Sequence, residues 1–101
     1  MTKKNKINVD LLLKDERSTI DRLDSIIVNA LIERFEVTKR IGLIKAENNL
    51  GAYDSVRETE QIKRLNQQVK DSGLDITFVE KVMQLITSET KKRHKKIKEK
   101  K

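Results

Sequence analysis

The chain has 101 residues, enough for one domain, with 36% hydrophobic and 39% charged residues, no proline, no cysteine and three glycines. That composition favours long unbroken helices and excludes disulfides and thiolate metal sites, and an aromatic content of 3% speaks against stacking platforms for single-stranded nucleic acid. The formal charge of +7 resides in residues 91–101, "KKRHKKIKEKK", whose eight Lys/Arg and one Glu leave the other ninety residues balanced at fifteen of each sign.

The N-terminus, "MTKKNKINVDLLLKDE", is basic and then briefly apolar. Its apolar part is too short for a signal-peptide core, and no stretch approaches membrane-spanning length, so a cytoplasmic protein is expected. Residues 1–8 are expected to be a flexible N-terminus, 9–94 the folded helical domain and 95–101 a basic C-terminal tail.

The first predicted element runs from about Val9 to Asn48, with Asn8 as its N-cap. Apolar residues recur at Ile20, Leu23, Ile27, Ala30, Val37, Ile41 and Ile44, the three-four spacing of an amphipathic seam. A helix of about 40 residues is about 60 Å long, whereas a compact 100-residue domain has a radius of gyration of about 13 Å. One chain cannot cover such a stripe, and an intertwined homodimer is the simplest way to do so. Gly42 lies inside this helix, where glycine costs about 1 kcal/mol relative to alanine, and marks the close approach of another backbone or of a ligand.

"NNLGAYD", residues 48–54, reads as a loop with Gly51 as the turn former. Asp54 is the expected N-cap of a second helix that reaches about Asp71 and turns Glu58, Ile62, Leu65 and Val69 inward. In "SGLD", Gly73 suits the position just past a helix end and Asp75 caps the next helix. That third helix starts near Ile76, with Leu74 and Val79 as a hydrophobic staple and an inward line of Val79, Met83, Ile86, Thr90 and His94. The expected fold is all-α: one very long N-terminal helix and two shorter ones.

Each helix turns polar somewhere on its inner face. Arg34 occupies a seam position between Ala30 and Val37, and Lys45, eleven residues on, falls within about 20° of it, with Thr38 and Ile41 between. Two cations on one apolar face repel unless something anionic sits with them. One reading is a buried ion pair, Arg34 with Glu58 or with a carboxylate of a second chain. The other is a pocket for a small anion bearing more than one carboxylate, which a guanidinium grips in bidentate fashion. His94 alone is a weak signal, and a surface histidine in a lysine-rich helix end accounts for it more simply. No metal-ligand constellation, Ser-His-Asp set or glycine-rich phosphate loop is present. The basic tail reads either as a solvated helix end or as a contact for nucleic acid or an acidic partner.

"RSTIDRLDSIIVNALIERFEVTKRIGLIK", then "YDSVRETEQIKRL", then "SGLDITFVEKVMQLITSET" together resemble the all-helical (type II) chorismate mutases over about residues 14–94. The specificity lies in the combination I-D-x-L-D, E-R, I-G-x-x-K, D-x-x-R-E and G-L-D-x-x-F-V-E. The resemblance implies an intertwined homodimer with two active sites that converts chorismate to prephenate on the way to phenylalanine and tyrosine, with no cofactor. Carried over by position, Arg34 grips the side-chain carboxylate, helped by Arg17 of the other protomer, which lies about 100° away around the helix. Lys45 donates to the ether oxygen and a carboxylate. Arg57 and Thr90 steady the ring carboxylate, Glu58 with the backbone near Asp54 holds the ring hydroxyl, and Ile41 is an apolar wall.

Two positions depart from the family pattern: Thr90 stands where Ser is common, and His94 where Gln is common. Histidine donates from a neutral tautomer or, more strongly, as a cation, so activity is expected to fall as His94 loses its proton. The resemblance also admits an activating enzyme of the shikimate pathway as a partner, and isochorismate pyruvate-lyase as a rival on the same fold. The rival of another class is a helical interaction module whose basic tail binds nucleic acid.

Overall fold

A computed structural model describes residues 2–51 and 54–100 of the chain. Among the described residues the protein is all-α: α1 spans Thr2–Glu47, α2 Ser55–Val69 and α3 Ile76–Lys100. Helix α1 begins ahead of the Asn8 cap expected from sequence; with no proline or glycine before Gly42, nothing in the chain stops it there. Helix α3 continues through the basic run to Lys100. No described helix is long and apolar enough to cross a membrane.

The chain divides after Glu36 into two compact units. The first is the greater part of α1. Two of its side-chain bonds lie within one turn: Thr19 Oγ1 donates to the Asp15 carbonyl at 3.3 Å, and Arg22 Nη2 donates to Thr19 Oγ1 at 3.3 Å. The seam residues Ile20, Leu23 and Ile27 are each more than half exposed. Covering such a side chain fully is worth about 1.5–3 kcal/mol, so this stripe represents a large unclaimed stabilisation. Leu31, Arg34 and Phe35 are half-buried.

The second unit holds the end of α1 with α2 and α3. The reversal after α1 is made by Asn49, whose φ of 55° is left-handed. Leu50 N–H donates to the Lys45 carbonyl at 2.8 Å and Asn49 N–H to the Ala46 carbonyl at 3.4 Å, closing the helix end in the Schellman manner. Asparagine tolerates the left-handed backbone better than most residues, and the neighbouring Asn48 adds a side-chain bond from Nδ2 to the Ile44 carbonyl at 2.8 Å. Gly51, the expected turn former, is not in the left-handed region and has open space where a Cβ would stand. Tyr53 and Ala52 of the same loop lie outside the described residues.

Both predicted caps form. Asp54 Oδ1 accepts the Arg57 N–H at 3.0 Å and Asp75 Oδ1 accepts the Thr77 N–H at 3.0 Å. Between them α2 ends at Val69, two residues earlier than expected. Asp71 (φ 63°) and Gly73 (φ 81°) are left-handed, and Ser72 Oγ donates to the Val69 carbonyl at 2.6 Å while accepting the Leu74 N–H at 3.1 Å. Helices α2 and α3 pack on each other, with Leu65 and Met83 lining one groove and Val69, Val79 and Ile86 half-buried. Among the described residues the most deeply covered side chains are Ala46 and His94, each 7% exposed, where the end of α1 meets the end of α3.

Candidate functional site

The junction between α1 and α3 is built around Gly42. A Cβ at that position would stand 2.6 Å from His94 Cδ2, 3.0 Å from His94 Nε2 and 3.1 Å from Ile97 Cδ1. Glycine is therefore required by a side chain, the His94 ring, rather than by the backbone or ligand expected. The ring is fixed by a long-range bond: His94 Nε2 lies 2.7 Å from the Thr38 main-chain oxygen, 56 residues away in sequence. A carbonyl only accepts, so Nε2 carries the proton and donates. Nδ1 is buried and, among the described residues, has no hydrogen-bond partner. The surface-histidine reading fails here, because the turn of α3 that carries residue 94 packs on α1 beside Gly42 and the ring is buried.

Lys45 stands one turn further along α1, half-buried. It lines two clefts. One, of about 340 Å³, is completed by Leu50, Gly51, Asp54 and Ser55. The other, of about 400 Å³, lies between Gly42, Ala46 and Leu50 on one side and Lys91, His94, Lys95 and Lys98 of α3 on the other. Lys45 is thus brought together with Asp54 in the first and with His94 in the second.

Glu58, in the first turn of α2, is half-buried and accepts from Lys91, with Nζ 2.9 Å from Oε1. It therefore has an ion-pair partner on α3, a different cation from the Arg34 considered in the ion-pair reading. Glu58 and Lys91 close one end of a groove of about 280 Å³ that continues along Ile62, Leu65, Met83 and Thr87. The lysine was missed by sequence reasoning: its place on the inner face of α3, one turn before Lys95 and one residue past Thr90, was masked by the uniform charge of the tail.

The remaining nominated residues occupy their expected elements. Arg57 is exposed in the first turn of α2, its N–H held by Asp54. Thr90 is half-buried, with Oγ1 donating to the Ile86 carbonyl at 3.0 Å. Ile41 is 40% exposed on α1, next to the buried Gly42. In the first unit Arg17 is exposed and Arg34 half-buried. The clefts of the second unit combine the cationic side chains Lys45, Lys91, Lys95 and Lys98 with the carboxylates of Asp54, Glu58 and Glu80; Asp54 caps its own helix and Glu58 is paired with Lys91. Such an arrangement can hold and orient a small anion with donors to spare. Among the described residues no group of three or more His, Asp or Glu stands together in a way that would hold a metal ion.

Comparison with known proteins gives a family match and two relatives. Residues 16–95 match the family model described as chorismate mutase type II. Over 60 residues the chain is 45% identical to a bifunctional chorismate mutase/prephenate dehydratase of Aquifex aeolicus, a stretch that is 56% of this chain and 17% of that protein. Over 78 residues it is 27% identical to the T-protein of Haemophilus influenzae, covering 77% of this chain and 21% of that one. The chain spans about a fifth of the length of these curated relatives.

Proposed function

As the chain belongs to the chorismate mutase type II family, we propose that it catalyses the rearrangement of chorismate to prephenate. The carrying observation is that the family match runs from residue 16 to residue 95 and so takes in every nominated residue from Arg17 to His94. The reaction is a unimolecular [3,3] shift in which a C–O bond breaks as a C–C bond forms. It needs no nucleophile and no obligatory proton transfer. What the protein supplies is a folded, near-attack shape of a flexible dianion and donors placed where negative charge grows on the ether oxygen.

In this reading Arg34 grips the side-chain carboxylate and Lys45 donates to the ether oxygen. Arg57 and Thr90 hold the ring carboxylate, and Glu58, with the backbone at Asp54, takes the ring hydroxyl. The ion pair with Lys91 keeps the Glu58 carboxylate in place. His94 acts as a positioning residue: with Nε2 bonded to the Thr38 carbonyl, it anchors α3 against α1 next to Lys45. The exposed stripe of α1 supports a homodimer, in which Arg17 reaches the site of the second protomer. A cytoplasmic biosynthetic enzyme is the setting that fits, and an activating shikimate-pathway enzyme is admitted as a further partner.

The test is loss of chorismate absorbance with purified protein, with prephenate and salicylate both sought as products. Arg34→Ala is expected to lower kcat/KM by roughly 10²–10⁴, the scale seen when a preorganised electrostatic contact is removed, while the oligomer persists. Equal rates in the two proteins, or salicylate from isochorismate as the main product, would refute the assignment.

A further inference from the structure

We infer that the exposed side of the end of α3 is a contact surface for the phosphate backbone of duplex DNA, met by Lys92, Lys95, Lys96, Lys98 and Lys100 without reading of sequence. Such a contact is separate from the mutase reading, in which none of these five lysines holds substrate.

The first support is order. Helix α3 continues through Lys100 and is tied to α1 from within the basic run itself. His94 is 7% exposed and bonded to the Thr38 carbonyl. Ile97 is half-buried, with Cδ1 3.1 Å from where a Cβ at Gly42 would stand. At i and i+3 these two turn one side of the helix to α1. Lys92, Lys95, Lys96 and Lys100 project from the other side at i, i+3, i+4 and i+8, and all are exposed, as is Lys98 at the flank. The stems of Lys95 and Lys98 lie along the cleft beside Ala46 and Leu50, while their ammonium groups reach water.

The second support is charge. Lys91 is held by Glu58 and Arg93 by Glu89, whereas the five lysines have no ion-pair partner among the described residues. Glu99 is the one carboxylate in their midst. Lys92 to Lys100 is about 12 Å along the helix, and a duplex presents one negative charge per about 1.7 Å of its axis. Lysines three and four apart repel one another, and a row of phosphates beside them replaces that repulsion with attraction.

The third support is what this face lacks. Ile97, the one apolar residue of the run from 91 to 101, is turned to α1. A protein interface is built on an apolar centre and is poor in lysine, and an amphipathic helix binds a lipid surface by burying an apolar face. The basic face offers neither. It also has no aromatic side chain for the stacking that holds single strands. Point charges are what duplex phosphates require.

The experiment is a titration of the full chain into a fluorescein-labelled, mixed-sequence DNA duplex, followed by anisotropy over a range of sodium chloride concentrations. Saturable binding is expected, with the logarithm of the affinity falling linearly in the logarithm of salt at a slope of about −3 to −5. The triple variant Lys92→Gln/Lys95→Gln/Lys96→Gln, checked for unchanged helicity by circular dichroism, is expected to bind at least about tenfold more weakly and to lose about 3 from that slope. Its rate on chorismate is expected to be unchanged. Lys39→Gln/Lys63→Gln/Lys70→Gln removes the same charge from exposed positions elsewhere and is expected to bind as the unaltered chain does. No binding at low salt, an equal loss in the two triple variants, or tighter binding of a single strand would each overturn the inference. So would displacement of the labelled duplex by polyglutamate at a lower charge concentration than by unlabelled duplex, which would make the partner an acidic protein. Because the readout is DNA binding and not turnover, its failure and that of the mutase assignment are separable.

Discussion

The His94 ring occupies the space that a Cβ at residue 42 would take, 2.6 Å from Cδ2 to that Cβ position. The two residues lie on different helices, and each explains the other. Gly42 gives up helix propensity so that a buried imidazole can reach the backbone of α1, and His94 repays it with the bond to the Thr38 carbonyl at 2.7 Å.

Gly42→Ala should therefore destabilise the protein although it improves the helix. The gain in propensity is about 1 kcal/mol, whereas forcing a methyl group into a filled space costs typically about 1–3 kcal/mol. The ring cannot swing aside without losing its bond to Thr38. Urea denaturation at fixed protein concentration is expected to give a lower midpoint. A midpoint raised by the propensity gain would show that the ring yields freely.

His94→Ala removes a buried donor and leaves a cavity, and is expected to cost about 2–4 kcal/mol in stability together with activity. His94→Gln keeps an N–H donor of similar reach and should retain most of both. Because Nε2 is engaged with the Thr38 carbonyl, the pH–rate profiles of the unaltered chain and His94→Gln are expected to superimpose. A limb present in the first and absent from the second would restore His94 as a direct donor to substrate.

Asp54→Ala deletes the cap that satisfies the Arg57 N–H, with an expected loss of about 1 kcal/mol read as a lower thermal midpoint. Asp54→Asn retains a capping oxygen and should melt within a degree or two of the parent, about 0.3 kcal/mol for a domain of this size. If both substitutions are equally harmful, Asp54 contributes through its charge and not through the cap.

The Glu58–Lys91 pair is partly open to water, with side-chain exposures of 26% and 39%. A double-mutant cycle of Glu58→Gln and Lys91→Met should give a coupling energy below about 1 kcal/mol in stability. Its effect on turnover should be much larger, because the pair holds the carboxylate proposed to meet the ring hydroxyl. Coupling in stability without coupling in kcat/KM would make the pair a structural tie only.

What the sequence determined by itself is what its local chemistry encodes. The caps at Asp54 and Asp75, the left-handed Gly73, the three helices and the interruption of the α1 seam by Arg34 are all set by neighbours a few residues away. In that range side chains meet their own backbone whatever the rest of the chain does, and the quoted motifs carried the family likeness for the same reason, as fixed spacings along helices. The tertiary structure decided what depends on distance in sequence. It put the turn after α1 on Asn49 instead of Gly51, because the helix ends at Glu47 and its end selects which residue must be left-handed. It paired Glu58 with Lys91, brought His94 to the carbonyl of Thr38, and made the lysines of the tail one wall of a cleft. Those pairings result from where α3 meets α2 and the end of α1. That meeting is set by packing of faces, and no single stretch of sequence carries it.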